Sequence, residues 1–256
     1  FTTEAPQAAD VFALPATNVL PFGARLNGEI FDTGGDDPEV HIVWGTEDAG
    51  NDPFAWQNDV NLGTMGLEDF HTDLAGLQAE TTYCYSVYAL NSAGVSWSSI
   101  SREFTTRGNF PLVTEVMADN ETGLTDEDGD YSDWLEIFNP GDTPVDLGGW
   151  YLTDDDSDLT QWQLPSVTVP AGEYLVVFAS NKDRAVSGQE LHTSFALSAG
   201  GEYVALVMPD GETVAHDYEF PLQLTDVSFG LTAALTEFRY IATPTPGAEN
   251  ADDYWG

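Results

Sequence analysis

The sequence predicts an all-β chain built as two β-sandwiches in tandem, and three observations carry that expectation. Short stretches alternate apolar and polar residues at period two, the spacing of a strand with one buried face. Gly, Asn, Asp and Pro break these stretches roughly every 8–12 residues, as sandwich turns do. Helical periodicity is nearly absent over the 256 residues, and hydrophobic residues make up 42% of them, enough for sizeable cores. Residues 1–10 are polar and read as a linker, 11–107 as the first domain and 108–256 as the second, with a short hinge at Arg107–Phe110.

In the first domain, strands are expected at Ala24–Glu29, Val40–Trp44, Phe70–Leu74, Tyr83–Leu90 and Ser99–Thr105. The run Tyr83–Ala89 alternates cleanly. Tyr83, Tyr85, Val87 and Ala89 should share one face, and Cys84, Ser86 and Tyr88 the other. Asn91–Gly94 then supplies a turn. In the second domain, strands are expected at Leu112–Met117, Trp134–Asn139, Val145–Thr153, Tyr174–Ser180, Tyr203–Met208 and Val227–Gly230. Cys84 stands alone in the chain, so no internal disulfide forms, and its apolar strand makes it a small buried hydrophobe.

Two stretches resemble known families. Leu77–Tyr83, followed by Tyr85, Val87, Ala89, Asn91 and Gly94, is similar to the E–F corner and F strand of a fibronectin type III domain. That family usually shows Pro and Gly where Ala79 and Glu80 stand here. The resemblance implies that Tyr83 is the tyrosine-corner residue, its hydroxyl bonded to upstream backbone. The segments Trp134–Pro140, Asp146–Asp155, Pro170–Ala179, Leu197–Leu206 and Ala242–Asn250 resemble, in that order, a bacterial lamin-tail domain. This implies two immunoglobulin-like β-sandwiches in tandem. It also implies accessory modules of a larger secreted or surface protein, since the bacterial relatives occur in such settings.

Charge bounds the partners. There are 44 Asp and Glu against 6 Lys and Arg, a net charge of −38, with a single lysine, Lys182. Such a polyanion excludes a nucleic-acid coat or an anionic membrane surface. No apolar run approaches the ~20 residues of a membrane helix, so no membrane insertion is expected. Cations, cationic surfaces and neutral polysaccharides remain as partners, beside other domains of a parent protein. A lysine-poor acidic surface suits a salty extracellular medium, marine or halophilic, where ions screen the repulsion. The chain opens at Phe1 and reads as a mature product or a fragment of a longer protein, expected to act as a monomer.

The densest chemical signal is Asp126-Glu127-Asp128-Gly129-Asp130-Tyr131-Ser132-Asp133-Trp134-Leu135-Glu136. Calcium takes six to eight oxygens from a tight loop. Asp126, Asp128, Asp130, Asp133 and Glu136 are the expected ligands of one Ca²⁺, in a spacing that is not an EF-hand. The alternative is a solvated acidic loop. A second run, Asp154–Asp158, reads as a polar hairpin loop with a weaker calcium alternative. For sugar binding, Trp56, Trp97, Trp162 and Trp255 lie in or near loops, and Trp162 with Tyr131 beside the acidic loop are the candidate contacts. Trp44, Trp134 and Trp150 read as core. The four histidines are scattered without zinc-site spacing, and His41 reads as structural. Nucleophile elbow, P-loop and dinucleotide turn are all absent. The functional expectation is therefore a non-catalytic module pair for spacing, anchoring, adhesion or surface binding. The alternatives are a carbohydrate-binding module of a secreted polysaccharide-degrading enzyme, or a hydrolase using paired carboxylates.

Overall fold

A computed structural model describes residues 5–255, without the side chain of Trp255. Residues 1–4 of the expected linker lie outside the described residues. The described chain is all-β and divides into two compact units, Phe1–Gly108 with Leu235–Glu237, and Asn109–Ala234 with Phe238–Gly256.

The first unit holds β1 (Asp10–Thr17), β2 (Gly23–Asp32), β3 (Glu39–Gly45), β4 (Asn58–Thr64), β5 (Asp69–Ala75), β6 (Thr82–Asn91), β7 (Gly94–Trp97) and β8 (Arg102–Thr105). One sheet runs β1-β2-β5. The other runs β4-β3-β6-β7, with β8 also on β6. The two sheets close on one core. Val11, Ala13, Leu26, Ile30, Phe70 and Leu74 come from the first, and Val40, Ile42, Tyr85, Val87 and Phe104 from the second. The linker reading of residues 5–10 is corrected, because β1 begins at Asp10 and the Gln7 N–H bonds to Gly34 O at 2.9 Å. Pro15 hid this strand. It sits at a register shift between Leu14 and Thr17, where an edge strand tolerates proline.

The alternation on β6 is as the pattern demands, with Tyr83, Tyr85, Val87 and Ala89 in the main core. Cys84 and Tyr88, on the opposite face, are buried too, in a small cluster with Val43 and Trp56. Trp97 stacks on Tyr88 at 4.7 Å, and His41 stacks on it at 4.5 Å. The Trp56 indole N–H goes to Gly50 O, and the His41 ring to Asp59, so neither Trp56 nor Trp97 forms a free sugar platform. The Tyr83 hydroxyl accepts the Gln78 N–H at 3.0 Å, the upstream backbone bond expected of it.

The second unit holds β9 (Leu112–Met117), β10 (Trp134–Phe138), β11 (Val145–Asp146), β12 (Tyr151–Thr153), β13 (Trp162–Gln163), β14 (Thr168–Val169) and β15 (Tyr174–Phe178). These are followed by β16 (Leu191–His192), β17 (Glu202–Val207), β18 (Val214–Phe220), β19 (Ser228–Leu231), β20 (Phe238–Ile241) and β21 (Tyr254–Trp255). A seven-stranded sheet, β16-β15-β10-β9-β19-β20-β21, faces a four-stranded one, β13-β12-β17-β18, and β11 pairs β14. Val116, Leu135, Ile137 and Val177 meet Leu152, Trp162, Val204, Leu206 and Phe220 in the core. The single strand expected over Val145–Thr153 is two, because a turn closes from Trp150 N–H to Leu147 O with Gly149 at φ 86°. Gly230 lets β19 approach β9, since a Cβ there would stand 2.1 Å from Thr114 O.

Candidate functional site

The acidic loop joins β9 to β10. Asp126 organises it. Its Oδ1 accepts the N–H groups of Asp128 and Asp130 at 3.0 and 3.1 Å, and its Oδ2 accepts the Ser132 hydroxyl at 2.7 Å. The Gly129 N–H returns to Asp126 O at 2.9 Å, and Gly129 takes φ 83°, a value that favours glycine at this turn. These bonds gather the carboxylates of Asp126, Asp128 and Asp130, which come within 4.8 Å of one another.

The point on which they converge is filled by the ammonium of Lys182. Its Nζ donates to Asp126 at 2.5 Å, Asp128 at 2.8 Å and Asp130 at 2.9 Å. The segment between β15 and β16 delivers it. Asn181 N–H to Phe195 O, Asp183 N–H to Thr193 O and the reciprocal Arg184–His192 pair pin that segment, in which Asn181 and Asp183 take left-handed φ values of 60° and 52°. Lys182 and Arg184 reach the loop, while Asp183 turns away to accept the Trp162 indole N–H at 3.2 Å.

Arg184 donates to Glu127 at 2.6 Å and to Asp128 at 2.7 Å. His192, fully buried, stacks on Phe178 and bridges Ser180 Oγ at 2.8 Å and Glu127 at 2.9 Å. Glu190 accepts the Glu127 N–H at 2.7 Å. Burial pushes the Asp126 carboxyl up, but the bonds from Lys182, Ser132 and two backbone amides prevail and hold it at about 2. Glu127 is held well below the usual carboxylate range, first by a hydrogen bond between its carboxyl and that of Glu190, then by His192 and Arg184. Partial burial pulls Lys182 down, but its three carboxylate partners raise it above its ordinary value.

Two expected calcium ligands lie elsewhere, which corrects the five-residue set. Asp133 turns inward and accepts the Asn120 N–H at 3.3 Å; burial lifts it to about 6. Glu136 belongs to the pleat of β10, where it is fully buried and opposite Glu115 of β9. Its oxygens accept the Thr114 hydroxyl at 2.8 Å and the Gly247 N–H at 2.6 Å. Trp162 is also corrected: it is 3% exposed, inside the core, with no face for a sugar ring. Tyr131 is 49% exposed on the loop. The run Asp154–Asp158 is a polar turn, capped by Asp155 on Ser157 and by Gln161 on Asp154.

Chemically, the cluster is a network of ion pairs between segments far apart in sequence. Ser180, His192 and Glu127 form a hydrogen-bonded chain, but it is not arranged for acyl transfer. The imidazole is sealed from solvent, and the surrounding carboxylates of Asp126, Asp128 and Glu190 would oppose a developing oxyanion. The carboxyl pair Glu115–Glu136 is likewise sealed from any substrate.

The class defined so far is an immunoglobulin-like β-sandwich module with an ion-paired acidic loop. Residues 109–220 match the family model of the Lamin Tail Domain. Among solved structures, the chain is similar to the sensor domain, in a short form, of the anti-sigma factor RsgI4 in Pseudobacteroides cellulosolvens. That match has 17% identity and a TM-score of 0.29, and covers 41% of this chain and 99% of that one. No curated protein matches the chain significantly.

Proposed function

We propose that the chain is a non-catalytic pair of accessory modules from a larger extracellular protein, monomeric in itself, that spaces and anchors neighbouring domains at a surface. The first sandwich acts as a spacer of the fibronectin type III kind. The second presents the acidic loop as a rigid recognition face. The observation that supports this reading is the pairing of the loop: Asp126, Asp128 and Asp130 are engaged by Lys182, and Glu127 by Arg184 and His192. A loop tied in this way keeps its shape without an external ion. Calcium would have to displace the lysine ammonium to reach the same oxygens. Loops positioned by a rigid scaffold are where such modules carry recognition.

The test is affinity electrophoresis of the full chain through neutral, anionic and cationic polysaccharides, alongside a turnover screen with esters, glycans and phosphodiesters. Retardation by one polymer class that is lost in Tyr131→Ala supports a surface-binding role for the loop. Turnover that disappears in Ser180→Ala or Glu127→Gln ends the non-catalytic reading.

A further inference from the structure

The C-terminal arm between β20 and β21 is seated on two buried acids. Glu115 and Glu136 stand directly opposite each other on adjacent strands, and both are fully buried. The bonds they accept come from hydroxyls and backbone amides. Glu115 accepts from the Ser228 hydroxyl and, at 3.2 Å, from the Thr245 N–H and the Thr245 hydroxyl. Glu136 accepts from the Thr114 hydroxyl and the Gly247 N–H. Asn250 pins the far end of the arm to Thr114 O at 3.1 Å and Leu231 O at 2.6 Å. Two like charges this close, and this dry, cannot both be ionised cheaply.

We propose that Glu115 and Glu136 form a proton-binding site, the retention of one proton by the pair holding the arm Thr243–Asn250 against the sheet as a latch. The arm's donors favour the ionised forms, so what resists the second ionisation is the burial of the pair and the repulsion between its members. Loss of the proton sets the pair against itself, and release of Thr245 and Gly247, which bond the two acids directly, is the movement that would let water reach them.

Other titratable groups flank the pair on the neighbouring elements. On β15, Val176 stands opposite Glu136 and Tyr174 lies two residues away, its hydroxyl raised to about 12 by burial and then by Glu136 and Glu249. On β18, across the sheet, stand His216 and Tyr218; the Tyr218 hydroxyl is raised by burial, then by both acids. On β19 the opposing residue is Gly230, and beyond it in register, on β20, is Arg239. The arm itself carries Glu249. Burial, then Glu115, raises the Glu136 carboxyl to about 8, against its hydrogen bonds, and burial raises Glu115 as well.

The experiment is amide exchange of residues 245–248 in the full chain, corrected for intrinsic rate, from pH 6 to 9. A carboxyl near 8 when the arm is seated and near 4.5 when it is open makes opening rise close to a hundredfold over that range. The wild type should lose protection by roughly that factor, and Glu136→Gln should stay flat. Equal slopes in the two proteins, or no slope in the wild type, overturn the proposal. If Glu136→Gln does not fold, the carbon-13 titration of the wild-type glutamates decides. A side chain titrating near 8 supports the retained proton, and all glutamates titrating below about 6 overturn it.

Discussion

Replacing Lys182 by Met removes the ammonium and keeps most of the side-chain length. The structure sets the size of the effect. The Asp126 side chain is 0% exposed and Lys182 19%, whereas Asp128 is 39% and Asp130 66% exposed. Stripping the partner from a buried charge costs about 3–5 kcal/mol. An exposed pair contributes about 1 kcal/mol or less. Asp126 keeps the Ser132 hydroxyl and two amides, so the loss sits between these limits, at about 2–3 kcal/mol. For a domain of this size each kcal/mol moves the melting point by about 2–4 °C, so the second unit should melt about 5–10 °C lower. Scanning calorimetry reads the shift, and amide exchange should place the loosening at residues 119–133. A loss below ~0.5 kcal/mol, the level of an ordinary surface substitution, would refute the reasoning.

Other expectations follow from the same geometry. Tyr83→Phe should destabilise the first unit by about 1–2 kcal/mol in urea unfolding, because the Gln78 N–H loses its acceptor. Gly230→Ala should leave little folded second unit by circular dichroism, since the new methyl meets backbone 2.1 Å away. The pH profile has two limbs. Asp133 and Glu136 are raised in the fold, to about 6 and about 8, so their protonated forms favour folding and stability falls as pH rises through those values. Asp126 is held low, so its contribution is present above about 4 and is lost as pH falls through about 2. The melting temperature should therefore peak on the acid side of neutrality; a maximum at pH 8 or above would contradict these assignments.

Part of this was legible in the residues. The clean alternation of Tyr83–Ala89 gave both faces of β6, and the acidic run from Asp126 read as a loop that gathers its carboxylates. The lysine clamp was missed, although a signal existed. Lys182 and Arg184, two of the three bases in residues 108–256, stand two positions apart in an acid-dominated block. Such a pair must find carboxylates, but which ones depends on how β15 and β16 return to the loop. Glu136 was misread as a loop ligand because it lies three residues after Asp133. Strand phase, not chain distance, decides where it points, and its partner Glu115 emerges only with the register of β9 on β10. Strands β4 and β18 escaped because the polar residues in Asn58–Thr64 and Val214–Phe220 dilute the apolar signal. Trp162 was misplaced because β13 is two residues long and reads as loop.

The most direct test of the internal clamp is calorimetric titration of calcium into the full chain at ~0.15 M salt, where exposed charges are screened. The wild type should show no saturable uptake, because Lys182 already occupies the oxygens of Asp126, Asp128 and Asp130. Lys182→Met should gain a site that Asp128→Asn removes. Saturable binding to the wild type that is lost on changing those same aspartates would contradict the account, and would make the lysine a displaceable stand-in for the ion.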